Sequence, residues 1–287
     1  MPVDIDVQQF LPSTEDVAFY REHGWWVAPK IISDDLLEEA IMGADRHYAG
    51  ERDYPLLITG GYLDWRPEHG NVIRLNDYVS LQNEQLRELV HFEVISAIAA
   101  TLAGTSTIRL FHDQLVTKPA GLEKAESTIG WHVDAAYWKT CSSRNMLTAW
   151  IPFQDCDEEM GSLCVIDGSH HRPDTEWMKT FNERDLDALE RQFSDGRTLE
   201  KVPLRMERGQ VSFHHCRTIH GSEANRSDRD RVALAVHVQD ESNRYVPHVD
   251  DTGRRTVHIN DLLVRKDQDG NPDYSDPEIC PVLWPRG

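Results

Sequence analysis

The 287-residue chain carries 30 Lys and Arg against 49 Asp and Glu, a formal net charge of −19, with 39% hydrophobic residues. That length can bury a sizeable core as a single large β domain under helical cover, and the dispersed negative charge argues against nucleic acid or an anionic membrane as partner. Five scattered cysteines, Cys141, Cys156, Cys164, Cys216 and Cys280, form no Cys-x-x-Cys pair, which argues against a zinc ribbon or a disulfide framework and fits reduced thiols in the cytoplasm. No basic segment followed by an apolar one opens the chain and no apolar run is long enough to span a bilayer, so a soluble, unexported protein is expected.

In chain order, Ser13-Thr14-Glu15-Asp16 reads as the cap of a helix bearing Val17, Phe19 and Tyr20 that stops at Gly24. Trp25 to Pro29 reads as a short strand, and Ser33-Asp34-Asp35 opens a second helix with Leu36, Leu37, Ala40, Ile41 and Ala44 at helical spacing. From Tyr48 to Val79 the pattern is irregular, with Gly60-Gly61 and Trp65-Arg66-Pro67 among loop formers. This stretch either lines a substrate entrance, with Arg74 or Trp65 as the pocket candidate, or is an ordered surface connection. Leu86 to Leu102 resumes one helical periodicity and ends at Gly104, so residues 1–105 are expected to be a mainly helical apron.

A β-rich stretch follows over residues 106–240. Leu110, His112, Gln114, Val116 and Lys118 share one parity of a strand. Ile129 to Trp138 contains Trp131-His132-Val133-Asp134, and Met146 to Phe153 sets Thr148 and Trp150 on one face. After the Gly161 to His170 strand and turn comes a charged insert, residues 171–202, whose Leu186, Leu189 and Phe193 suggest one amphipathic helix, either a lid or a surface excursion. Gly209 to Phe213 leads to His220-Gly221-Ser222, and Arg231 to Val238 alternates strictly. Residues 241–287 form a polar extension in which no chemistry is legible. Short strands preceded by helices indicate an α+β chain with a double-sheet jelly-roll core, one domain over residues 1–287.

His132 and Asp134, two residues apart on an extended segment, project to one side. With a second His they form the two-His, one-carboxylate face of non-haem Fe(II) sites. His220 is the candidate third ligand, with His214, His215 and His237 as rivals. A lone His-x-Asp is more often a hydrogen-bonded surface pair. The second half of the pattern speaks against that here: Arg231 shares a strand face with Ala233, Ala235 and His237, and a planar guanidinium among small side chains suits a bound carboxylate.

These residues resemble the phytanoyl-CoA dioxygenase (PhyH) family of Fe(II)/2-oxoglutarate oxygenases. The likeness is carried by Phe19-Tyr20-Arg21-Glu22-His23-Gly24-Trp25, Asp113-Gln114-Leu115-Val116-Thr117-Lys118-Pro119, Trp131-His132-Val133-Asp134, Leu147-Thr148-Ala149-Trp150, the Gly161 to His170 segment, and His220-Gly221-Ser222 with Asn225-Arg226-Ser227-Asp228. It implies a double-stranded β-helix with Fe(II) on His132, Asp134 and His220, 2-oxoglutarate paired through a carboxylate with Arg231, and O₂ as cosubstrate. It further suggests Gln114, Thr148 and Ser222 near 2-oxoglutarate, and Trp138, by likeness to ectoine hydroxylases, near the substrate. Trp131, Tyr137 and Trp150 are added as aromatic pocket candidates. Asp167 and Met160 stand where the family usually has Pro and Asn. Asp134 stands where halogenating relatives have a small residue, which favours oxygen chemistry. The expected activity is oxidation of a C–H bond of a small organic molecule, by hydroxylation, desaturation, epoxidation or cyclisation, in natural-product metabolism. A cupin-type metal-dependent isomerase, a 2-oxoglutarate-independent dioxygenase and a non-catalytic jelly-roll binding module are the alternatives.

Overall fold

The computed structural model describes residues 6–194 and 196–285; the outermost residues of the expected domain and residue 195 of the insert lie outside them. The elements are α1 (Thr14–His23), β1 (Trp25–Val27), α2 (Asp34–Tyr48), β2 (Arg74–Asp77), α3 (Val79–Gln82), α4 (Glu84–Val90), α5 (Glu93–Ala103), β3 (Ile108–Lys118), α6 (Lys124–Ser127), β4 (Ile129–His132), β5 (Leu147–Pro152), β6 (Cys164–Ile166), α7 (Leu186–Phe193), β7 (Lys201–Pro203), β8 (Ser212–His215), β9 (His220–Ser222), β10 (Arg231–Asp240), α8 (Asn260–Leu263) and β11 (Val282–Trp284).

Two antiparallel sheets make a jelly-roll core. The larger runs β1-β8-β5-β10-β3-β11, with β2 also paired to β3; the smaller runs β4-β9-β6-β7. The alternation of β10 sorts its side chains between two environments. Leu234, Val236 and Val238 join the core under the helices, with Leu37, Leu86 and Ile98, whereas Ala233 and Ala235 face Trp150, Leu163 and Val165 between the sheets. Each large aliphatic side chain buried in this way contributes about 1.5–3 kcal/mol.

The first helix starts as its sequence dictates. The Ser13 hydroxyl accepts from Asp16 N–H, Asp16 returns the bond, and Gly24 ends the helix at φ 80. The Asp167 carboxylate, at the position where a proline is usual, accepts from Trp25 Nε1 at 2.7 Å and contacts His23 Nδ1 at 2.8 Å. It thus ties the α1–β1 corner to the end of β6. The single helix read over Leu86 to Leu102 is two. Phe92 leaves helical geometry at ψ 110 to cap α5, and because it is apolar and packs on the same core, the break leaves no gap in the hydrophobic pattern.

Candidate active site

β4 ends at His132, Val133 keeps an extended backbone, and Asp134 begins a tight 3₁₀ turn. His132 therefore pairs directly with His220 of β9, and Asp134 turns to the same side. One side-chain donor atom from each of His132, Asp134 and His220 lies within 4.8 Å of the others, and all three residues are buried. The backbone sets both imidazoles: Nδ1 of His132 donates to Gly130 O at 2.7 Å and Nδ1 of His220 to Thr218 O at 2.9 Å. Nε2 of each ring is left with its lone pair, as a divalent metal requires.

A lateral row on the inner face of the large sheet surrounds Asp134. His214 of β8 pairs with Thr148 of β5, Thr148 with His237 of β10, and His237 with His112 of β3. The Thr148 hydroxyl donates to Asp134 Oδ2 at 2.6 Å, and His214 Nε2 stands 3.3 Å from the same oxygen. Burial alone would raise the Asp134 pKa, but His220, His214 and His237 hold it well below the usual carboxylate range. Burial lowers the basicity of both His132 and His220, so both are neutral and ready to coordinate.

A cavity of about 450 Å³ opens beside these groups. Arg231 reaches it from the start of β10; its side chain is 1% exposed, its guanidinium lies 5.4 Å from the Trp150 ring centre, and its Nε and Nη2 have no hydrogen-bond partner among the described residues. Next to it in register is Lys118, whose buried Nζ donates to Ser222 Oγ at 2.6 Å and to the carbonyls of Ser222 and Glu223. Burial and the neighbouring Arg231 depress the Lys118 pKa well below that of an ordinary lysine. With Lys118 engaged by these three acceptors, the buried Arg231 guanidinium, which has no carboxylate partner among the described residues, is the receptor for an anion.

Gln114, Thr148, Ser222, Tyr137, Trp138 and Trp150 all line the cavity. Three of them have prior engagements: Thr148 binds Asp134, Ser222 accepts from Lys118, and Gln114 Nε2 donates to Asp77 Oδ1 at 2.7 Å. Arg74 is not among the lining residues. Its guanidinium stacks 4.8 Å over Trp65 and pairs with Asp230 at 3.3 Å. Trp131 likewise packs away from the cavity, with Met178 and Leu189. The insert contributes Lys179, Phe181 and Asn182 to the lining, and Phe181 stacks edge-on to His132 at 5.1 Å. Sequence reasoning gave no role to Asp77, His112 or His258, all of which line the cavity; His258 comes from the extension beyond Asp240 that carried no motif.

The model of the phytanoyl-CoA dioxygenase (PhyH) family matches residues 20–233. The chain belongs to this family. It is an enzyme, an Fe(II)/2-oxoglutarate-dependent oxygenase acting on a small molecule. Peroxisomal phytanoyl-CoA dioxygenase of Rattus norvegicus is 25% identical over 244 residues, covering 82% of this chain and 70% of the relative. That of Bos taurus is 25% identical over 266 residues, covering 88% and 77%. Among solved structures, the non-haem α-ketoglutarate-dependent carbocyclase SnoK from nogalamycin biosynthesis is 26% identical with a TM-score of 0.65, covering 86% of this chain and 94% of its own. EctD from S. alaskensis, with 2-oxoglutarate and 5-hydroxyectoine, is 20% identical with a TM-score of 0.65 over 82% and 79% of the two chains, a likeness of fold. Among the described residues no helix is long and apolar enough to cross a membrane, and all five cysteines are free.

The residues fit the family's cofactors. Two neutral imidazoles and a carboxylate converge as a facial donor set, and a buried guanidinium with open donors stands at the same cavity.

Proposed function

We propose that His132, Asp134 and His220 hold Fe(II), that Arg231 pairs with the remote carboxylate of 2-oxoglutarate, and that the aromatic part of the cavity receives a medium-sized organic substrate. The observation that carries this reading is Arg231, fully buried with Nε and Nη2 unpartnered beside the three converging donors. An isomerase, a 2-oxoglutarate-independent dioxygenase or a binding module acting on an uncharged ligand would leave that guanidinium unanswered.

With O₂, Fe(II) and 2-oxoglutarate together couple decarboxylation of the oxo acid, giving succinate and CO₂, to oxidation of a substrate C–H bond. The chain's own part is placement and exclusion of water. Gly130 O and Thr218 O fix the two imidazoles, Thr148 holds Asp134 Oδ2, and Trp150 lies against the Arg231 guanidinium. Lys118 occupies a lone pair of Ser222 Oγ, which leaves the Ser222 proton free to donate to the same anion. Tyr137, Trp138 and Phe181 give the substrate side its aromatic surface. SnoK, from nogalamycin biosynthesis, supports a natural product as substrate, and the five free thiols support a cytoplasmic setting. We read residues 106–240 as the catalytic core, with the helical apron and C-terminal extension as parts of the same domain.

The test is anaerobic absorption of metal-free protein on adding Fe(II) and then 2-oxoglutarate. A weak visible charge-transfer band that fades in Arg231→Ala is the expected result; iron binding without a band would overturn the assignment.

A further inference from the structure

Four histidines line the cavity besides His132 and His220; His214 stands 3.3 Å from Asp134 Oδ2, which leaves His112, His237 and His258. The ring of His112 stacks on His237 at 5.3 Å and meets His258 edge-on at 5.9 Å. Their tautomers follow from neighbours that have only one way to bond. Thr148 has a single proton, and the Asp134 carboxylate can only accept it. At His237 Nδ1, 2.7 Å away, Thr148 must therefore accept. His237 then carries its proton on Nδ1, and its Nε2 is an acceptor. His258 is the reverse: its Nδ1 accepts from Asn260 N–H at 3.1 Å, so the neutral ring carries its proton on Nε2, a donor. His112 Nε2 lies 3.3 Å from Asp77 Oδ1, and that pair balances its own charge.

We propose that this histidine wall recognises a neutral, multiply oxygenated substrate, one hydroxyl of which donates to His237 Nε2 while a second oxygen accepts from His258 Nε2–H. The proposal rests on the iron and 2-oxoglutarate reading above. The remaining charges argue against an anionic substrate such as a carboxylate, a phosphate or a coenzyme A thioester. Arg231 and Lys179 are the described Lys and Arg side chains lining the cavity. The first is committed to 2-oxoglutarate, and the second is exposed, with its Nζ 5.2 Å from the Tyr137 ring centre. A wall of fixed donors and acceptors also discriminates well, because an analogue lacking the matching group leaves them unpaired.

The experiment uses protein loaded anaerobically with Fe(II) and 2-oxoglutarate and reads dissociation constants from perturbation of the visible band. The probes are the cis-diol of tetralin, the dimethyl ether of that diol, and tetralin carboxylate. The diol is expected to bind about tenfold more tightly than either of the others. His237→Asn and His258→Asn keep an amide in reach of Thr148 and Asn260 N–H respectively but remove the distal nitrogen. Each is expected to bring the diol within about threefold of its ether. A diol that binds no better than the ether, a carboxylate that binds best, or a preference that survives both variants overturns the proposal. A wild-type protein without the band overturns the iron reading itself, whereas a band without diol preference overturns only the histidine wall.

Discussion

His132 and His220 face each other across the β4–β9 pair with ring centres 4.1 Å apart, each held through Nδ1 by a carbonyl two residues earlier in the chain. Neither ring depends on the other for its orientation. His132→Ala and His220→Ala should therefore each leave the fold intact by circular dichroism, yet weaken Fe(II) binding in an anaerobic titration by more than about a hundredfold, beyond what loss of a supporting partner costs.

Thr148 tests the support behind the carboxylate. Thr148→Val keeps the shape but removes the hydroxyl that donates to Asp134 Oδ2. Fe(II) affinity should fall by about tenfold to a hundredfold, and Thr148→Ser should restore most of it. Equal affinity in the valine variant would show that the 2.6 Å bond does not position Asp134.

Arg231→Ala should raise the 2-oxoglutarate Kd by about a hundredfold. Arg231→Lys should recover only part, since an ammonium cannot match both carboxylate oxygens with a planar fork. Because the wild-type protein buries this cation unpaired, saturating 2-oxoglutarate with Fe(II) should also raise its Tm by mass action. Arg231→Ala should lose that increment in the same thermal scan.

Gly130 lies beneath the insert. A Cβ built there would stand 2.1 Å from Thr180 O and 2.5 Å from Glu183 O. Gly130→Ala should destabilise the protein by about 1–3 kcal/mol in urea unfolding and open residues 171–202 to proteolysis. Unchanged stability would mean that the insert does not rest on β4.

Acid should destabilise the fold before its carboxylates titrate. Burial brings His47, His215, His237 and His258 down to about 3, against about 6.5 in an unfolded chain. Between those values the unfolded state binds more protons, so stability rises with pH and is lost as pH falls below about 6.5. His112 works the other way, because Asp77 and Asp113 outweigh burial and raise its pKa; its contribution is lost as pH rises. Burial lowers His132, His170 and His220 in the same direction, so the lowered histidines outnumber His112 and the Tm should fall between pH 7 and pH 5; a flat Tm over that range would contradict it.

The residues that proved easiest to read lie on strands whose period-two pattern is also their chemistry. Arg231, Ala233, Ala235 and His237 alternate with core aliphatics, and that alternation alone put a guanidinium on the inner face. The His132-x-Asp134 pair was legible because Val133 is extended. Hydroxyl roles were harder: Thr148 and Ser222 were expected at 2-oxoglutarate, but what their oxygens touch depends on lateral register with β8, β10 and β3. Arg74 was drawn toward the pocket by its loop, whereas stacking on Trp65 and pairing with Asp230 hold it elsewhere. His258 was invisible because the extension is fixed by contacts remote in sequence, among them Asn260 Nδ2 with Phe111 O and Tyr78 OH with Asn260 Oδ1 at 2.7 Å.

The bonds between the insert and β4 also decide how molecules come and go. Gly130 N–H donates to Phe181 O at 3.0 Å, Thr180 Oγ1 to Trp131 O at 2.5 Å, and Arg184 Nη1 to Thr128 O. Residues 180–184 cannot swing outward without tearing the strand that carries His132, so this side is a fixed jamb rather than a door. Traffic must use the other rim, where Leu63 is 48% and Val257 52% exposed beside Gly61. Turnover would then be gated by two segments from opposite ends of the chain, and a crosslink between them would trap product without touching a single group at the metal.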